Sequence, residues 1–154
     1  MSSGDAYLLD SHALLWWWFD PDRLSGAVRE LLSDPATSVL VSAASVWELS
    51  LKHHQGKLPE LSGVIGDLPG LLQADGFGAL PISLAHGLRA GGYSQPHRDP
   101  FDRMLAAQAE LEQRVQAESR AGLQLRRAAL GNGAGRLGAA RLALERLAGA
   151  GQLG

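Results

Sequence analysis

Three carboxylates stand where this sequence could build a chemical site: Asp10 in "YLLDSHALLWWWF", Glu48 in "SVWELSLK" and Asp102 in "DPFDRML". Asp10 interrupts an almost wholly apolar run, and a charge at the edge of a core is costly unless something pairs with it. Clustered carboxylates raise one another's pKa, so gathering them is tolerable mainly when a cation neutralises them. Oxygen donors, in a chain with no cysteine and no chelating histidine pair, favour Mg²⁺ or Mn²⁺. Such a cation binds a phosphate oxygen, lowers the pKa of a bound water and stabilises the charge of in-line attack. Metal-assisted attack on a phosphate is therefore the chemistry these residues could do.

Each position also has a plainer reading. Asp10 could cap the helix that follows, although Ser11 already serves there. Ser45 to Glu48 fits a capping box, and Glu48 with Lys52 fits an i,i+4 ion pair. Asp102 could complement a helix dipole, and Asp99 reads as a cap first and as metal support second. His53 and His54 are adjacent, so they point about 100° apart on a helix and suit surface positions. His12 is expected to pack against its helix, whereas His97 and Arg98, in the loop before Asp102, suit phosphate contact. Trp16, Trp17 and Trp18 cannot all be buried on one helix face, so part of that patch is expected to meet a partner.

The elements that must position these groups follow from periodicity. "AYLLD", "SVLVS" and "FGALPIS" read as short buried strands. "SHALLWWWF", "RLSGAVRELLSD", "AASVWELSLKHHQG", "LPGLLQADG" and "LAHGLRAGG" read as helices, separated by Gly and Pro punctuation. "DPFDRMLAAQAELEQRV" carries the strongest start signal, with Asp99 at the cap, Pro100 in the first turn and Asp102 behind it. Strands alternating with helices imply an α/β fold with a short parallel sheet covered on both faces. Ligands of such sheets gather at the carboxyl ends of the strands, where Asp10 falls.

The 154 residues, 45% hydrophobic, suit one domain with one core. The longest apolar run is far shorter than a membrane span, and "MSSGDAY" lacks the basic start of a signal peptide. A cytoplasmic protein with no membrane partner is expected. Residues 1–112 hold 7 Lys/Arg against 14 Asp/Glu, whereas 113–154 hold 7 Arg against 2 Glu. The acidic first part would need a metal rather than a basic track to accept phosphate. After residue 112 the chain turns to Ala, Gly, Leu, Arg and Gln, with no aromatic residue. No strand is expected there; weak helices are expected at 117–130 and 135–147, in a tail that is otherwise disordered.

"YLLDSHALLWWWFD", "SVLVSAASVWELSLKHHQGKL" and "HRDPFDRMLAAQAELE" together resemble, in order and spacing, the first three acidic motifs of PIN-domain proteins, and within them the VapC-type toxins of toxin–antitoxin modules. The resemblance covers residues 6–112 and implies a three-layer α/β/α fold. It implies a Mg²⁺-dependent endoribonuclease acting on structured RNA such as tRNA or rRNA, a homodimer, and a cognate VapB-type antitoxin that silences it. By motif, Asp10, Glu48 and Asp102 become metal ligands and catalytic residues, with Asp99, Ser11, His97 and Arg98 in support. Such toxins continue into a strand like "LPLVT", a fourth acidic residue and a last strand; here "QRVQAESRAGLQLRRAALGNG" stands instead, as after a frameshift. That departure leaves a catalytically inactive binding module as the competing reading. A receiver-like aspartyl-phosphate domain fits less well, since "DSH" is no DxD nucleophile motif and no Lys follows at a phosphate-binding strand end.

Overall fold

The computed structural model describes residues 5–94, 99–119 and 124–125. Strand β1 (Asp5–Leu9) leads into helix α1 (Ser11–Phe19), followed by α2 (Gly26–Ser33), β2 (Ser38–Ser42) and α3 (Ala43–His54). Then come α4 (Leu68–Ala74), β3 (Gly78–Leu80), α5 (Leu84–Gly91), α6 (Pro100–Ser119) and β4 (Gln124–Leu125). All strands are parallel, in the order β3-β2-β1-β4, with Leu8 beside Leu40 and Leu40 beside Gly78. A Cβ at Gly78 would lie 2.9 Å from a Leu40 methyl carbon, so glycine is what lets β3 approach β2.

Alternation along the strands divides the core in two. Tyr7, Leu9, Val39 and Val41 face Leu14, Val28, Leu49, Leu61 and Leu68, which come from the helical layer of α1 to α4 and the turn at 59–63. Ala6, Leu8 and Leu80 face Leu105 of α6, with Leu40 and Ala109 against them. Both faces are apolar because both are covered, as a parallel sheet requires. The result is the expected α/β/α layering, with the helices expected before residue 112 in place.

Helix α5 is fastened to α6 by polar contacts. The Arg103 guanidinium donates to the carbonyls of Ala90 and Tyr93, at 3.0 and 2.7 Å, satisfying acceptors at the end of α5. Arg89 and the Tyr93 hydroxyl both donate to Glu110 Oε2 at 3.0 Å. The Glu110 hydrogen bond holds the Arg89 pKa above its ordinary value, with burial opposing it. The Ser83 backbone N–H donates to His86 Nδ1, so His86 Nε2 carries the proton that reaches Glu112 Oε1.

Two expectations are corrected here. The tail does contain a strand: Gln124 and Leu125 pair with Asp5 and Ala6 on the open edge of β1, the kind of edge that recruits backbone partners. The helix expected at 117–130 is not formed as such, because α6 ends at Ser119 and residues 124–125 are extended. The helix expected at 135–147 lies outside the described residues. No described helix is long and apolar enough to cross a membrane.

Candidate active site

Chain direction alone brings Asp10 and Glu48 to the same end of the sheet, since each follows the carboxyl end of neighbouring strands. Asp10, 3% exposed, is the N-cap of α1: its Oδ1 accepts from the Ala13 N–H at 2.8 Å. The cap is therefore Asp10, not Ser11, which corrects the sequence reading. Ser11 is the first helical residue, and its buried hydroxyl instead donates to Glu48 Oε2 at 2.7 Å. That bond ties the residue after Asp10 to the second carboxylate across 37 positions of sequence.

Helix α3 starts at Ser42, whose Oγ accepts from the Ala44 N–H. The capping box expected at Ser45 to Glu48 is thus absent: Glu48 lies in the second turn and is 4% exposed. The Glu48–Lys52 ion pair does form, on Oε1. Both Glu48 oxygens are therefore occupied, one by an ammonium and one by a hydroxyl. Ser45, one turn before Glu48 on the same face, is fully buried and its Oγ has no hydrogen-bond partner.

Asp102 is half-buried in the first turn of α6, and its N–H donates to the Asp99 carboxylate. Asp99 Oδ1 also accepts from the Phe101 N–H at 2.8 Å, so the cap reading of Asp99 matches its contacts. Among the described residues, no three His, Asp or Glu side chains are grouped closely enough to hold a metal ion. The structure thus links Asp10 and Glu48 through Ser11 and does not gather Asp102 into a three-carboxylate group. His97 and Arg98 lie outside the described residues.

Sequence reasoning missed the support beneath this edge. Gln108 of α6 is completely buried; its Oε1 accepts from Ser42 Oγ and its amide donates to the Pro81 carbonyl at 3.1 Å. One side chain thereby joins α6 to the carboxyl ends of β2 and β3. The available signal was a glutamine three residues after Leu105, on the apolar stripe of a helix.

None of the three tryptophans of α1 is fully buried, as their crowding on one helix predicts. Trp16, Trp17 and Trp18 are half-buried, and the indoles of Trp17 and Trp18 both donate to Asp75 Oδ2, at 3.3 and 2.8 Å. His12 is exposed, and His54 is exposed beside a half-buried His53.

With this geometry in view, residues 7–119 match the family described as PIN domain. The chain belongs to the PIN domain family. PIN domains are generally nucleases and typically use divalent metals. No curated protein and no solved structure matches the chain. The donors present fit such a cation in chemistry: two buried carboxylates of hard oxygen, with an unpartnered buried hydroxyl one turn away.

Proposed function

We propose that this PIN domain is a metal-dependent endoribonuclease of the VapC toxin type, held silent by a VapB-type antitoxin. The observation that carries the reading is the buried Asp10–Ser11–Glu48 linkage at the carboxyl edge of the parallel sheet. Asp10 and Glu48 are the residues that would hold Mg²⁺ or Mn²⁺ first; Asp102, with Asp99 in support, would complete the set on an approach of α6 toward α3 as the cation binds. The bound cation supplies Lewis acidity toward the scissile phosphate and a more acidic water.

The chain's own residues do the rest. Asp10 is oriented by its capping bond, so its carboxylate stays fixed while the helix stands. Ser11 orients Glu48 by donating to one oxygen. Lys52 balances the Glu48 charge, and its ammonium would have to share or surrender that carboxylate as the cation enters. RNA such as tRNA or rRNA is the proposed substrate, a homodimer the proposed assembly and the cytoplasm the proposed location.

Cleavage of total tRNA by the purified chain with Mg²⁺ or Mn²⁺, against Asp10→Asn, tests the reading. Asparagine keeps the capping oxygen and removes only the charge. Metal-dependent cutting that Asp10→Asn abolishes supports the toxin. No cutting under any metal supports the second reading, a catalytically inactive binding module, which the Lys52 ammonium on Glu48 favours.

A further inference from the structure

Trp47 is used neither by the core nor by the proposed reaction. It is 59% exposed on α3, and its ring meets Phe101 of α6 edge to face, with centroids 4.8 Å apart and planes at 73°. Each ring immediately precedes a proposed ligand, Trp47 before Glu48 and Phe101 before Asp102. The pair lines a groove of about 270 Å³, shared with Gly87 and Gly91 of α5, Ile82 and Arg103. A Cβ at either glycine would meet nothing within 4 Å, so the groove is open there. Its volume is just under the ~300 Å³ at which sites for drug-sized ligands begin, which suits one ring system.

We propose that this groove is a base-stacking subsite: an unpaired nucleobase beside the cut phosphate stacks on Trp47, with Phe101 bracing the indole. The inference rests on the ribonuclease reading above. Charge favours it. With 14 Asp/Glu against 7 Lys/Arg in residues 1–112, the domain has no electrostatic surplus with which to hold RNA by its phosphates. Residues 1–112 gain affinity beyond the metal from the bases, since every base offers a π-face to an open indole. The edge-to-face contact with Phe101 steadies the indole while leaving ring face exposed. Arg103 is the charged residue of the lining, and its guanidinium is anchored on the Ala90 and Tyr93 carbonyls. Its donors are spent on those backbone carbonyls, so the groove offers a base an apolar wall and not a phosphate site.

The test is anisotropy binding of a labelled uridine octamer, against an octamer of the same length with abasic riboses. The protein is the full chain carrying Asp10→Asn, so that neither RNA is cut. The base-bearing octamer should bind about 5- to 150-fold more tightly, the effect of one stacked base. Trp47→Ala should remove that preference, and Trp47→Phe should keep much of it. Gly87→Leu, which fills the groove and leaves Trp47 in place, should lower it. Equal binding of the two octamers, or a preference that survives Trp47→Ala, overturns the subsite. So does a dimer that Trp47→Ala converts to monomer with the base preference unchanged, which gives the groove to a second copy. Cleavage by the parent chain is scored separately. Cutting without a Trp47-dependent base preference sinks the subsite alone, and that preference without cutting upholds the subsite while sinking the nuclease.

Discussion

Replacing Lys52 with Met removes the ammonium from Glu48 and keeps much of the aliphatic stem. The Glu48 side chain is 5% exposed and that of Lys52 is 33% exposed. The pair thus falls between an exposed i,i+4 pair, worth about 0.3–0.5 kcal/mol, and a buried pair, whose rupture costs about 3–5 kcal/mol. Ser11 still donates to Oε2, so a loss of about 1–3 kcal/mol is expected. With a urea slope of about 2 kcal/mol per M, the unfolding midpoint should fall by roughly 0.5–1.5 M at constant slope. A cation bound to the folded state stabilises it by RT ln(1 + [L]/Kd), about 1.4 kcal/mol at ten times Kd. In the parent that cation competes with Lys52; in the variant it replaces it. Mg²⁺ should therefore raise the midpoint of Lys52→Met more than that of the parent. Equilibrium urea unfolding by tryptophan fluorescence, with and without MgCl₂, measures both. A loss below about 0.5 kcal/mol, or the same Mg²⁺ increment in both proteins, refutes the reasoning.

Asp10→Ala, which loses the cap, should cost about 1 kcal/mol more in urea unfolding than Asp10→Asn, which keeps the capping oxygen; equal losses in the two would remove the capping argument. Gln108→Ala opens a cavity and leaves the Pro81 carbonyl without its side-chain donor, so a loss of about 2–4 kcal/mol is expected in the same assay. Asp75→Ala strips the shared acceptor from two half-buried indoles and should cost about 1–2 kcal/mol with a shift in tryptophan emission, which a fluorescence spectrum reads directly. Arg89 carries a pKa raised chiefly by its Glu110 hydrogen bond. Stability from a raised group is complete below its unfolded pKa and is lost only as pH climbs through the folded one. Both lie far above neutrality, so the penalty of Arg89→Gln should be the same at about pH 6 and pH 9; a penalty that changes across that window contradicts the assignment.

The elements were legible because their signals are local. "SVLVS" and "AYLLD" are short apolar runs, and Asp99-Pro100 announces α6 within four residues of sequence. The choice between Asp10 and Ser11 as cap was not legible. Both residue types cap well, and what decides is that Glu48 takes the Ser11 hydroxyl from another helix. The same holds for Trp17 and Trp18, whose polar edges find Asp75 more than fifty positions away. Gln124 and Leu125 have little strand propensity, and the open edge of β1 makes them a strand. Glu48 and Asp102 were found as candidates, yet whether they join Asp10 in one group is a property of how α3 and α6 dock, which no local pattern encodes.

That docking is indexed by Gln108. Its two bonds hold α6 against the ends of β2 and β3 at a single point, and Asp102 stands six residues upstream on the same rigid rod. At 1.5 Å of rise and 100° of turn per residue, Gln108 acts as the fiducial mark from which the carboxylate's height and bearing are measured. One residue inserted between them would move Asp102 by about 1.5 Å along the axis and swing it about 100° around it. The spacing from Asp102 to Gln108 therefore behaves as a fixed dimension of the part.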